Sequence, residues 1–156
     1  MKTIFNKKAS FDFFLKEKFE AGIVLTGAEV KSAKEGSGSL ADSFVRIIKA
    51  EPVLFNAYLS PYKYAYDPSY DPRRERRLLL HQKEIDYLTG KLASENLTIV
   101  PTKLYIKHNL AKLEIVLAEP KKKFDKRDSL KRKALERQTE GLLRAAKRGA
   151  NKQDSR

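Results

Sequence analysis

The residue types that usually carry catalysis or bind metals are few in this sequence and are not grouped. The two histidines, His81 and His108, are 27 residues apart, and the chain has no cysteine to join them in a metal site. Carboxylates come close together in sequence at Glu17 with Glu20 and at Asp67 with Asp71. Such pairs are common by chance, and no nucleophile elbow, P-loop or dinucleotide-binding glycine motif accompanies them. The sequence therefore predicts no catalytic residues, no metal and no cofactor.

Basic residues are grouped, and their grouping points to the binding of phosphates. Three clusters stand out: Lys7 with Lys8, the run "RRERR" at 73–77, and the C-terminal segment that starts with "KKKFDKR". Lysine and arginine neutralise phosphates and release counterions, which gives affinity without a choice of sequence. Five tyrosines lie beside the second cluster: Tyr58, Tyr62, Tyr64, Tyr66 and Tyr70. Each ring is either a stacking surface for an unpaired base or a packing residue of the loop.

Charge is distributed unevenly along the 156 residues. The net charge is +13, and residues 119–156 carry +8 of it, with 14 Lys and Arg against six Asp and Glu. Such a charge favours a polyanion as partner, either nucleic acid or an anionic membrane surface. We place the end of the folded domain near Pro120, so that residues 1–120 form one domain and residues 121–156 form a basic tail.

The sequence shows neither a membrane span nor a secretion signal. No run of about 18 apolar residues occurs, and the first stretch, "MKTIFNKKAS", lacks the apolar segment of a signal peptide. The lack of cysteine excludes disulfides and thiolate metal sites. We therefore expect a cytoplasmic protein that does not bind a membrane.

Short β-rich runs dominate the first 120 residues and predict the fold. They lie at 11–25, 43–50, 52–59 and 97–119, and a loop with three prolines and four tyrosines occupies 60–77. About six short antiparallel strands usually close into a barrel, because closure removes their edges. We predict a mainly β fold, an OB-like antiparallel barrel of about six strands with flanking helices. An open α+β sandwich is the second choice.

Local signals place several boundaries within these runs. Thr26 and Glu29 have the spacing of a capping box at the start of a helix, and Gly36 lies at its end. The pair Ala21-Gly22 should split or bend the first run. A second helix is predicted over 81–96 from the spacing of Ile85, Leu88 and Leu92.

Two hairpins are predicted from turn residues between the remaining runs. One turn should lie at Ala-Glu-Pro (50–52), and the other within "KHNLAK" (107–112). The last strand should bury every second residue, with Leu113, Ile115 and Leu117 inward and Lys112, Glu114 and Val116 outward.

The basic tail has too few apolar residues to fold alone as a helix in water. Leu130, Leu135 and Leu142 recur at roughly helical spacing, but like charges lie along the same stretch. We expect the tail to be disordered in the free protein and helical when it binds an anionic partner.

Six motifs follow one another in a characteristic order: "NKKA" (6–9), "FEAGIVLTGAEVKS" (19–32), "LADSFVRI" (40–47), "DPRRERRLLLHQKEI" (71–85), "TIVPTKLYIKHNLAKLEIVLA" (98–118) and "KKKFDKR" (121–127). Together they resemble the family of SsrA-binding proteins, or small protein B, of bacterial trans-translation. The resemblance implies an OB-type barrel and a monomeric RNA-binding adaptor that is not an enzyme. Such an adaptor binds the tRNA-like domain of transfer-messenger RNA and delivers it to ribosomes stalled on messages without a stop codon.

The resemblance assigns RNA-binding roles to three residues by motif. Glu20 in "EAG", Leu79 in "RRLLL" and Lys112 in "LAKLEI" match family positions implicated in binding the RNA. Glu20 would accept a hydrogen bond from a base amino group or orient a neighbouring Lys or Arg, Lys112 would contact phosphate, and Leu79 would support the surface by packing. Weaker candidates are Asn6, Lys7, Lys8, Lys31, Arg73, Arg74, Arg76 and Arg77.

The resemblance also assigns a ribosome-binding role to the start of the tail. The residues concerned are Lys121, Lys122, Lys123, Phe124, Asp125, Lys126 and Arg127. The tail would enter the empty mRNA channel, where the ring at 124 would stack on a base of ribosomal RNA in the decoding centre. Phe124 and Pro120 depart from the family, which often has His or Tyr before "DKR" and Gly-Lys-Lys after the last strand.

Two other functions fit the composition. A ribosomal or ribosome-assembly protein can also be a basic barrel with a tail, and it should stay on purified subunits through a high-salt wash. An RNA-processing enzyme should turn over RNA and lose that activity when one carboxylate is changed.

Overall fold

The computed structural model describes residues 2–122, 126–127 and 130–141. The chain divides into two compact units at Pro120, and the described part of the first unit contains nine strands and three helices. The strands are β1 (Ile4–Phe5), β2 (Phe13–Ile23), β3 (Gly38–Ser39), β4 (Phe44–Ile48), β5 (Glu51–Phe55), β6 (Tyr58–Leu59), β7 (Arg76–Leu79), β8 (Thr98–Lys107) and β9 (Leu110–Pro120). The helices are α1 (Ala9–Asp12), α2 (Gly27–Lys34) and α3 (Gln82–Ser94).

Six of the strands close into an antiparallel barrel. They follow the order β8, β4, β5, β7, β2 and β9, and β9 pairs again with β8. β1 adds to β8 outside this ring, and β3 pairs with β6 in a separate ribbon. The predicted OB-like barrel is therefore confirmed. The second choice, an open sandwich, is wrong because the β8–β9 hairpin joins the two ends of the sheet.

The first β-rich run forms one bent strand, β2, preceded by the short helix α1. The bend was expected at Ala21-Gly22, but the pairing with β9 shifts register between Leu15 and Lys18 instead. Ala21 is fully buried, and a Cβ on Gly22 would lie only 3.3 Å from the Cβ of Leu79. The two small residues therefore let β7 lie close against β2 rather than ending the strand.

The core lies inside the barrel and follows the alternation of β9. The predicted inward residues Leu113, Ile115 and Leu117 are at most 1% exposed. Val116 was predicted to face outward, yet it is fully buried as well. The outer side of the barrel is also packed here, because Val100, the residue opposite Val116, forms a second buried cluster with Ala9 of α1 and Ala118.

α2 begins with the capping box that the sequence predicts. The backbone N–H of Glu29 donates to the hydroxyl oxygen of Thr26 at 3.2 Å, and the backbone N–H of Thr26 donates to the Glu29 carboxylate at 3.0 Å. Gly36 follows the helix at a φ of +73°, a left-handed conformation that favours glycine. Glu29 is only 1% exposed, so the carboxylate that caps α2 is also a buried charge.

Two tight hairpin turns connect strands of the barrel, and all four turn residues have positive φ. Lys49 and Ala50 connect β4 to β5, and His108 and Asn109 connect β8 to β9. The second turn lies where the sequence predicts it. The first turn comes earlier than the predicted Ala-Glu-Pro, because Pro52 already lies inside β5.

The predicted long loop ends sooner than expected, at residue 75. Arg76 and Arg77, predicted as its last residues, begin β7, which pairs with β5 on one side and with β2 on the other. β7 therefore completes the ring. Its four residues open with two arginines and show no alternating apolar pattern, so the sequence did not indicate a strand there.

The predicted second helix is confirmed as α3, over nearly the expected range. Ile85 and Leu88 are buried, and Leu92 packs partly against the same core. Tyr87 lies on the outer side and contacts Phe19 of β2, with ring centroids 6.1 Å apart. α3 thus closes one side of the barrel through the residues whose spacing predicted it.

Beyond Pro120, the described residues include a helical segment at 130–141. Every residue of this segment is exposed, with Leu130 at 55% and Leu135 at 62%. Disorder in the free protein and helix formation on binding concern the protein in solution and stay predictions. None of the helices in the described ranges is long and apolar enough to cross a membrane.

Candidate nucleic-acid interface

Glu20, Leu79 and Lys112 come from three different strands and meet at one place on the barrel. Gly22 of β2 pairs with Leu79 of β7 on one side and with Lys112 of β9 on the other. Glu20 precedes Gly22 by two residues and therefore projects from the same face of β2. The three side chains line one open depression of about 370 Å³, together with Leu80, His81 and Glu84. We call it the Glu20 depression.

Leu79 is an apolar part of this surface. It is 61% exposed, whereas Leu78, the preceding residue of β7, is 4% exposed in the core. The alternation of the strand turns Leu79 outward, and the missing side chain of Gly22 leaves room for it to lie across β2. Leu79 was expected to support the surface by packing beneath it, but it is itself exposed for contact with a partner.

The carboxylate of Glu20 is held between a tyrosine and a lysine. The hydroxyl of Tyr105 donates a hydrogen bond to Oε2, and Nζ of Lys112 lies 3.9 Å from Oε1. The hydrogen bond from Tyr105 is the main cause that lowers the pKa of Glu20, and Lys107, Lys112 and Lys103 lower it further. Glu20 is therefore ionised at neutral pH and presents a hydrogen-bond acceptor in a fixed position.

Tyr105 is a member of the site that the motifs did not indicate. Burial, followed by its hydrogen bond to Glu20, raises the pKa of Tyr105 to about 12, so its hydroxyl remains a donor. Tyr105 lies opposite Lys112 in the β8–β9 hairpin. Counting residue pairs outward from the turn at His108 and Asn109 gives this register. A hairpin with this turn therefore indicates that Tyr105 lies beside Lys112.

Lysines of β8 extend the positive charge beside Glu20. Nζ of Lys103 lies 5.6 Å from the centre of the Tyr105 ring and 3.1 Å from a carboxylate oxygen of Glu114. Lys107, two pairs closer to the turn than Tyr105, helps to lower the pKa of Glu20. Cations around one fixed carboxylate can contact phosphates while the carboxylate contacts a base.

The basic run at 73–77 divides into buried and exposed residues. Arg76 is fully buried, and its Nε donates to Glu29 at 2.6 Å while Nη1 donates to the carbonyl of Ala57 at 2.6 Å. The assignment of Arg76 to the RNA-binding residues is therefore corrected, because its guanidinium is enclosed in the core and cannot reach a phosphate. Arg74 also donates to Glu29, although a third of its side chain stays exposed.

Glu29 is the centre of a buried network that ties the loop at 60–75 to α2. Burial by itself would raise the pKa of Glu29, but hydrogen bonds from Arg74, the Thr26 backbone and Arg76 lower it to about 2. The hydroxyl of Tyr70 joins the network, 3.3 Å from Glu29 and 3.0 Å from the carbonyl of Leu59. Tyr70 is thus one of the five tyrosines whose role is packing.

Arg73 and Arg77 keep exposed guanidinium groups. Arg77 is paired with Glu51 at 3.0 Å, and both side chains are more than half exposed. Arg73 lies 5.4 Å from the centre of the Tyr58 ring and donates to the carbonyl of Asn56 at 3.2 Å. Exposed pairs of this kind are weak and exchange readily for other partners. An RNA-binding role for both arginines stays a prediction.

Asn6, Lys7 and Lys8 lie apart from the Glu20 depression, at the connection between β1 and α1. Nδ2 of Asn6 donates to the carbonyl of Pro101 at 2.8 Å, which ties this connection to β8. Nζ of Lys8 lies 2.6 Å from the Asp42 carboxylate, and this hydrogen bond raises the pKa of Lys8. Asn6 and Lys8 line a different depression, and the exposed Lys7 lies between them in sequence.

The predicted ribosome-binding residues are described only in part. Those outside the described residues are Lys123, Phe124 and Asp125. Lys121 and Lys122 follow Pro120, which is the last residue of β9 and pairs with Phe13. Lys126 and Arg127 are helical. A role on the ribosome for these residues stays a prediction.

Within the described ranges, no three His, Asp or Glu side chains are arranged to hold a metal ion. His81 occupies the N-cap position of α3, but its side chain forms no capping hydrogen bond. His108 lies in the β8–β9 turn. The two histidines therefore have separate structural positions.

Comparison with known proteins identifies the family. A model of the family described as SmpB protein matches residues 3–145 of the chain. The chain belongs to the SmpB family. The match extends over the whole barrel, including the strands that bear Glu20, Leu79 and Lys112.

Similar proteins cover most of this SmpB family member. The SsrA-binding protein of Sulfurihydrogenibium sp. (strain YO3AOP1) is 52% identical over 135 residues, which are 86% of this chain and 89% of the relative. The SsrA-binding protein of Shouchella clausii (strain KSM-K16) is 46% identical over 144 residues, 92% of each chain. A chain of the solved structure "tmRNA-SmpB: a journey to the center of the bacterial ribosome" matches with a TM-score of 0.68 and 37% identity, over 83% of this chain and 95% of that chain. The family resemblance predicted from the motifs is confirmed.

Proposed function

We propose that this SmpB family member is an RNA-binding adaptor that binds the tRNA-like domain of transfer-messenger RNA and delivers it to stalled ribosomes for trans-translation. The observation that carries the proposal is the convergence of Glu20, Leu79 and Lys112 on one exposed face of the barrel. The relatives are named SsrA-binding proteins, and the name of the matching solved structure joins tmRNA-SmpB to the bacterial ribosome.

The Glu20 depression combines three kinds of contact that suit a folded RNA. The fixed carboxylate of Glu20 accepts from an exocyclic amino group of a base, which a phosphate cannot provide. Lys112 is near enough to Glu20 to pair weakly with it, at 3.9 Å, and is free to turn towards a phosphate. Leu79 covers the apolar face of a base or ribose. The site therefore reads the shape and the base edges of an RNA as well as its charge.

The tail provides the contact with the ribosome in this proposal. Residues 119–156 carry a net charge of +8, and the helical segment at 130–141 exposes Leu130 and Leu135 along its length. A basic helix with exposed leucines is marginal in water and gains stability from an RNA-lined channel. We place the tail in the empty mRNA channel, with Phe124 as the residue that stacks in the decoding centre and Asp125, Lys126 and Arg127 beside it.

The adaptor acts as a monomer in the cytoplasm, where ribosomes are, and needs no catalysis, metal or cofactor. The carboxylates that could have served catalysis have separate partners. These are Tyr87 for Glu17, Tyr105 for Glu20, Ser69 for Asp67 and the backbone N–H of Arg73 for Asp71. Because the pairs do not converge on one reacting position, they support a binding role.

Binding to two RNAs of equal length tests the proposal. Fluorescence anisotropy should give the full chain at least about a tenfold lower Kd for the tRNA-like domain than for an unrelated structured RNA, a difference of about 1.4 kcal/mol. Glu20→Ala should reduce this preference. The matched control is Glu17→Ala, which removes another exposed carboxylate of β2 that is bonded to a tyrosine hydroxyl. Equal affinity of the unchanged protein for the two RNAs would rule out the proposed function.

A high-salt wash separates an adaptor from a ribosomal protein. Ribosomes loaded with the full chain should release it, since its contacts are dominated by Lys and Arg on phosphate and weaken steeply with salt. Retention on purified subunits after the wash would favour the ribosomal-protein alternative.

A further inference from the structure

The loop at 60–75 exposes tyrosine rings, and none of its residues lines the Glu20 depression. Tyr64 is 75% exposed and Tyr66 is 91% exposed. The loop is not loose at its base, because Tyr70 is held by Glu29, Arg76 and the carbonyl of Leu59. Large aromatic rings that an anchored loop keeps exposed to solvent are unusual on a protein surface, and they indicate a binding role.

Three of the tyrosines and the start of α2 enclose a cleft of about 280 Å³. Its lining includes Tyr62, Tyr66 and Tyr70, with Thr26, Ala28 and the arginine-paired Glu29 on the helix side and Asp67 on the loop side. We call it the tyrosine cleft. It is smaller than the roughly 300–1,000 Å³ of pockets for drug-sized ligands, and it suits one planar ring system.

A positive charge lies beside three aromatic rings of this region. The pairs are Lys31 with Tyr62 at 5.3 Å, Lys63 with Tyr64 at 4.9 Å and Arg73 with Tyr58 at 5.4 Å, each measured to the ring centre. A cation beside a ring allows a base to stack on the ring while its phosphate meets the cation. The three pairs involve α2, β6 and the loop at 60–75, and their repetition matches the alternation of base and phosphate in a nucleic-acid strand.

Two of the three acidic residues of the loop, Asp67 and Asp71, accept hydrogen bonds from within the loop, and the third, Glu75, is exposed. Asp67 accepts from the backbone N–H of Ser69 at 3.0 Å and from its hydroxyl at 2.6 Å, and these hydrogen bonds lower the pKa of Asp67. Asp71 accepts from the backbone N–H of Arg73 at 3.0 Å. Both carboxylates thus help to shape the loop through these hydrogen bonds.

We propose that the tyrosine cleft binds an unpaired base of a single-stranded RNA segment, with the neighbouring phosphates on Lys31, Lys63 and Arg73. Tyr62 and Tyr64 are arranged edge to face, at 5.5 Å and 70°, which fixes their relative orientation before the base arrives. The cleft is a second RNA contact, built from α2 and the loop, and it rests on the proposed function only in that both partners are RNA.

A single-stranded oligonucleotide that carries one 2-aminopurine tests this proposal with the full chain. Stacking on a tyrosine quenches the fluorescence of this base, so the signal reports contact with a ring rather than attraction to the basic tail. The cleft variant, Tyr62→Ala with Tyr66→Ala, removes two rings that line the cleft. It should weaken the quenched complex at least about fivefold, the lower end of what base–aromatic stacking contributes. Tyr66→Phe, which keeps the ring, should bind as the unchanged protein does.

A tyrosine outside the cleft supplies the matched control. Tyr87 of α3 is 41% exposed and has Lys91 at 5.8 Å from its ring centre, so it repeats the pairing of ring and cation elsewhere on the barrel. Tyr87→Ala should leave the quenching unchanged. An equal loss for Tyr87→Ala and for the cleft variant would overturn the proposal, because stacking would then not be specific to the cleft.

Affinity for the tRNA-like domain, measured on the same samples, separates this proposal from the proposed function. Quenching that persists in the cleft variant overturns the cleft proposal, even where the unchanged protein still prefers the tRNA-like domain. Loss of quenching only in the cleft variant supports it, whichever structured RNA the protein prefers. The cleft proposal is also overturned if the unchanged protein causes no quenching and the loop crosslinks to a protein instead. That result would favour a peptide partner.

Discussion

Glu20 is an acidic side chain on a surface expected to meet phosphates, and its two neighbours explain why it is tolerated there. Tyr105 donates to one carboxylate oxygen, and Lys112 lies 3.9 Å from the other. The charge is thereby compensated, while the carboxylate keeps further lone pairs for a base amino group. One tyrosine hydroxyl thus lowers the pKa of the proposed acceptor and fixes its orientation.

Tyr105→Phe tests this control. Without the hydroxyl, the pKa of Glu20 should rise towards the ordinary glutamate value, because its main stabilising hydrogen bond is lost. A carboxyl titration by NMR measures the shift, and affinity for the tRNA-like domain should fall several-fold. Tyr87→Phe is the matched control, since it removes the equivalent hydrogen bond to Glu17 at 2.7 Å. An unchanged pKa of Glu20 would show that Tyr105 does not hold it.

Lys112→Ala tests the phosphate contact. Without Lys112 the protein neutralises one phosphate fewer. RNA binding should therefore weaken, and the slope of log K against log salt should fall by about one unit. Titrations at several salt concentrations give this slope. Lys91→Ala is the control, since Lys91 lies on α3 and pairs with Glu95 at 3.3 Å. The same slope in Lys112→Ala and the unchanged protein would mean that Lys112 meets no phosphate.

At the scale of elements, buried charges join α2, the loop at 60–75 and β7. Glu29 caps α2 and also binds Arg76 at the start of β7 and Arg74 just before it. Because β7 closes the ring between β5 and β2, the network fixes the strand that bears Leu79. The basic run at 73–77 looked like one RNA-binding cluster in the sequence. In the fold, Arg76 is a buried structural residue, whereas Arg73 and Arg77 lie on the surface.

Glu29→Gln should destabilise the barrel strongly. The change leaves the buried guanidinium of Arg76 without its counter-charge, and breaking a buried pair costs about 3–5 kcal/mol. Urea denaturation followed by circular dichroism measures the loss in the free energy of unfolding. Glu51→Gln, in the exposed pair with Arg77, should cost at most about 1 kcal/mol. Similar losses for the two variants would contradict a structural role for the Glu29 network.

The same network predicts how stability depends on pH. The pKa of Glu29 is lowered to about 2 in the folded protein, below the roughly 4.3 of an unfolded glutamate. The stability that ionised Glu29 adds to the folded protein is therefore fully present above about pH 4.5, and it is lost as the pH falls towards 2. Thermal unfolding between these pH values should show a steeper acid dependence for the unchanged protein than for Glu29→Gln. Parallel curves for the two proteins would count against the low pKa.

At the scale of the whole molecule, the chain consists of a closed barrel and a basic C-terminal unit that divide at Pro120. The barrel carries the Glu20 depression, and the tail carries most of the net charge. We infer that the two units do separate work, RNA binding for the barrel and ribosome contact for the tail.

A chain that ends at Pro120 tests this division of work. It should keep its affinity for the tRNA-like domain to within about tenfold, or about 1.4 kcal/mol, yet fail to support peptide tagging on stalled ribosomes in a reconstituted translation reaction. Addition of the full chain to the same reaction is the control. A larger loss of RNA affinity on truncation would show that the tail shares in the RNA site.

Much of the fold could be predicted from sequence where the signal is local. The capping box of α2, the spacing of α3, the β8–β9 turn and the alternation in β9 all depend on residues within a few positions of one another. The same patterns failed where a distant element decides the outcome. Val116 is buried on the side of β9 where its partner Val100 packs with Ala9 of α1, and Arg76 lies in a strand because β5 and β2 flank it.

The sequence by itself predicted an OB-like barrel as the first choice, a basic tail and the family resemblance, and that resemblance made Glu20, Leu79 and Lys112 candidates. Only the tertiary structure decided that these three residues share a surface, that Tyr105 holds Glu20, and that Arg76 is a core residue. The physical reason is distance along the chain. Glu20 and Tyr105 are 85 residues apart, and Glu29 and Arg76 are 47 apart. Contacts of that range depend on strand register and burial, which no short stretch of sequence contains.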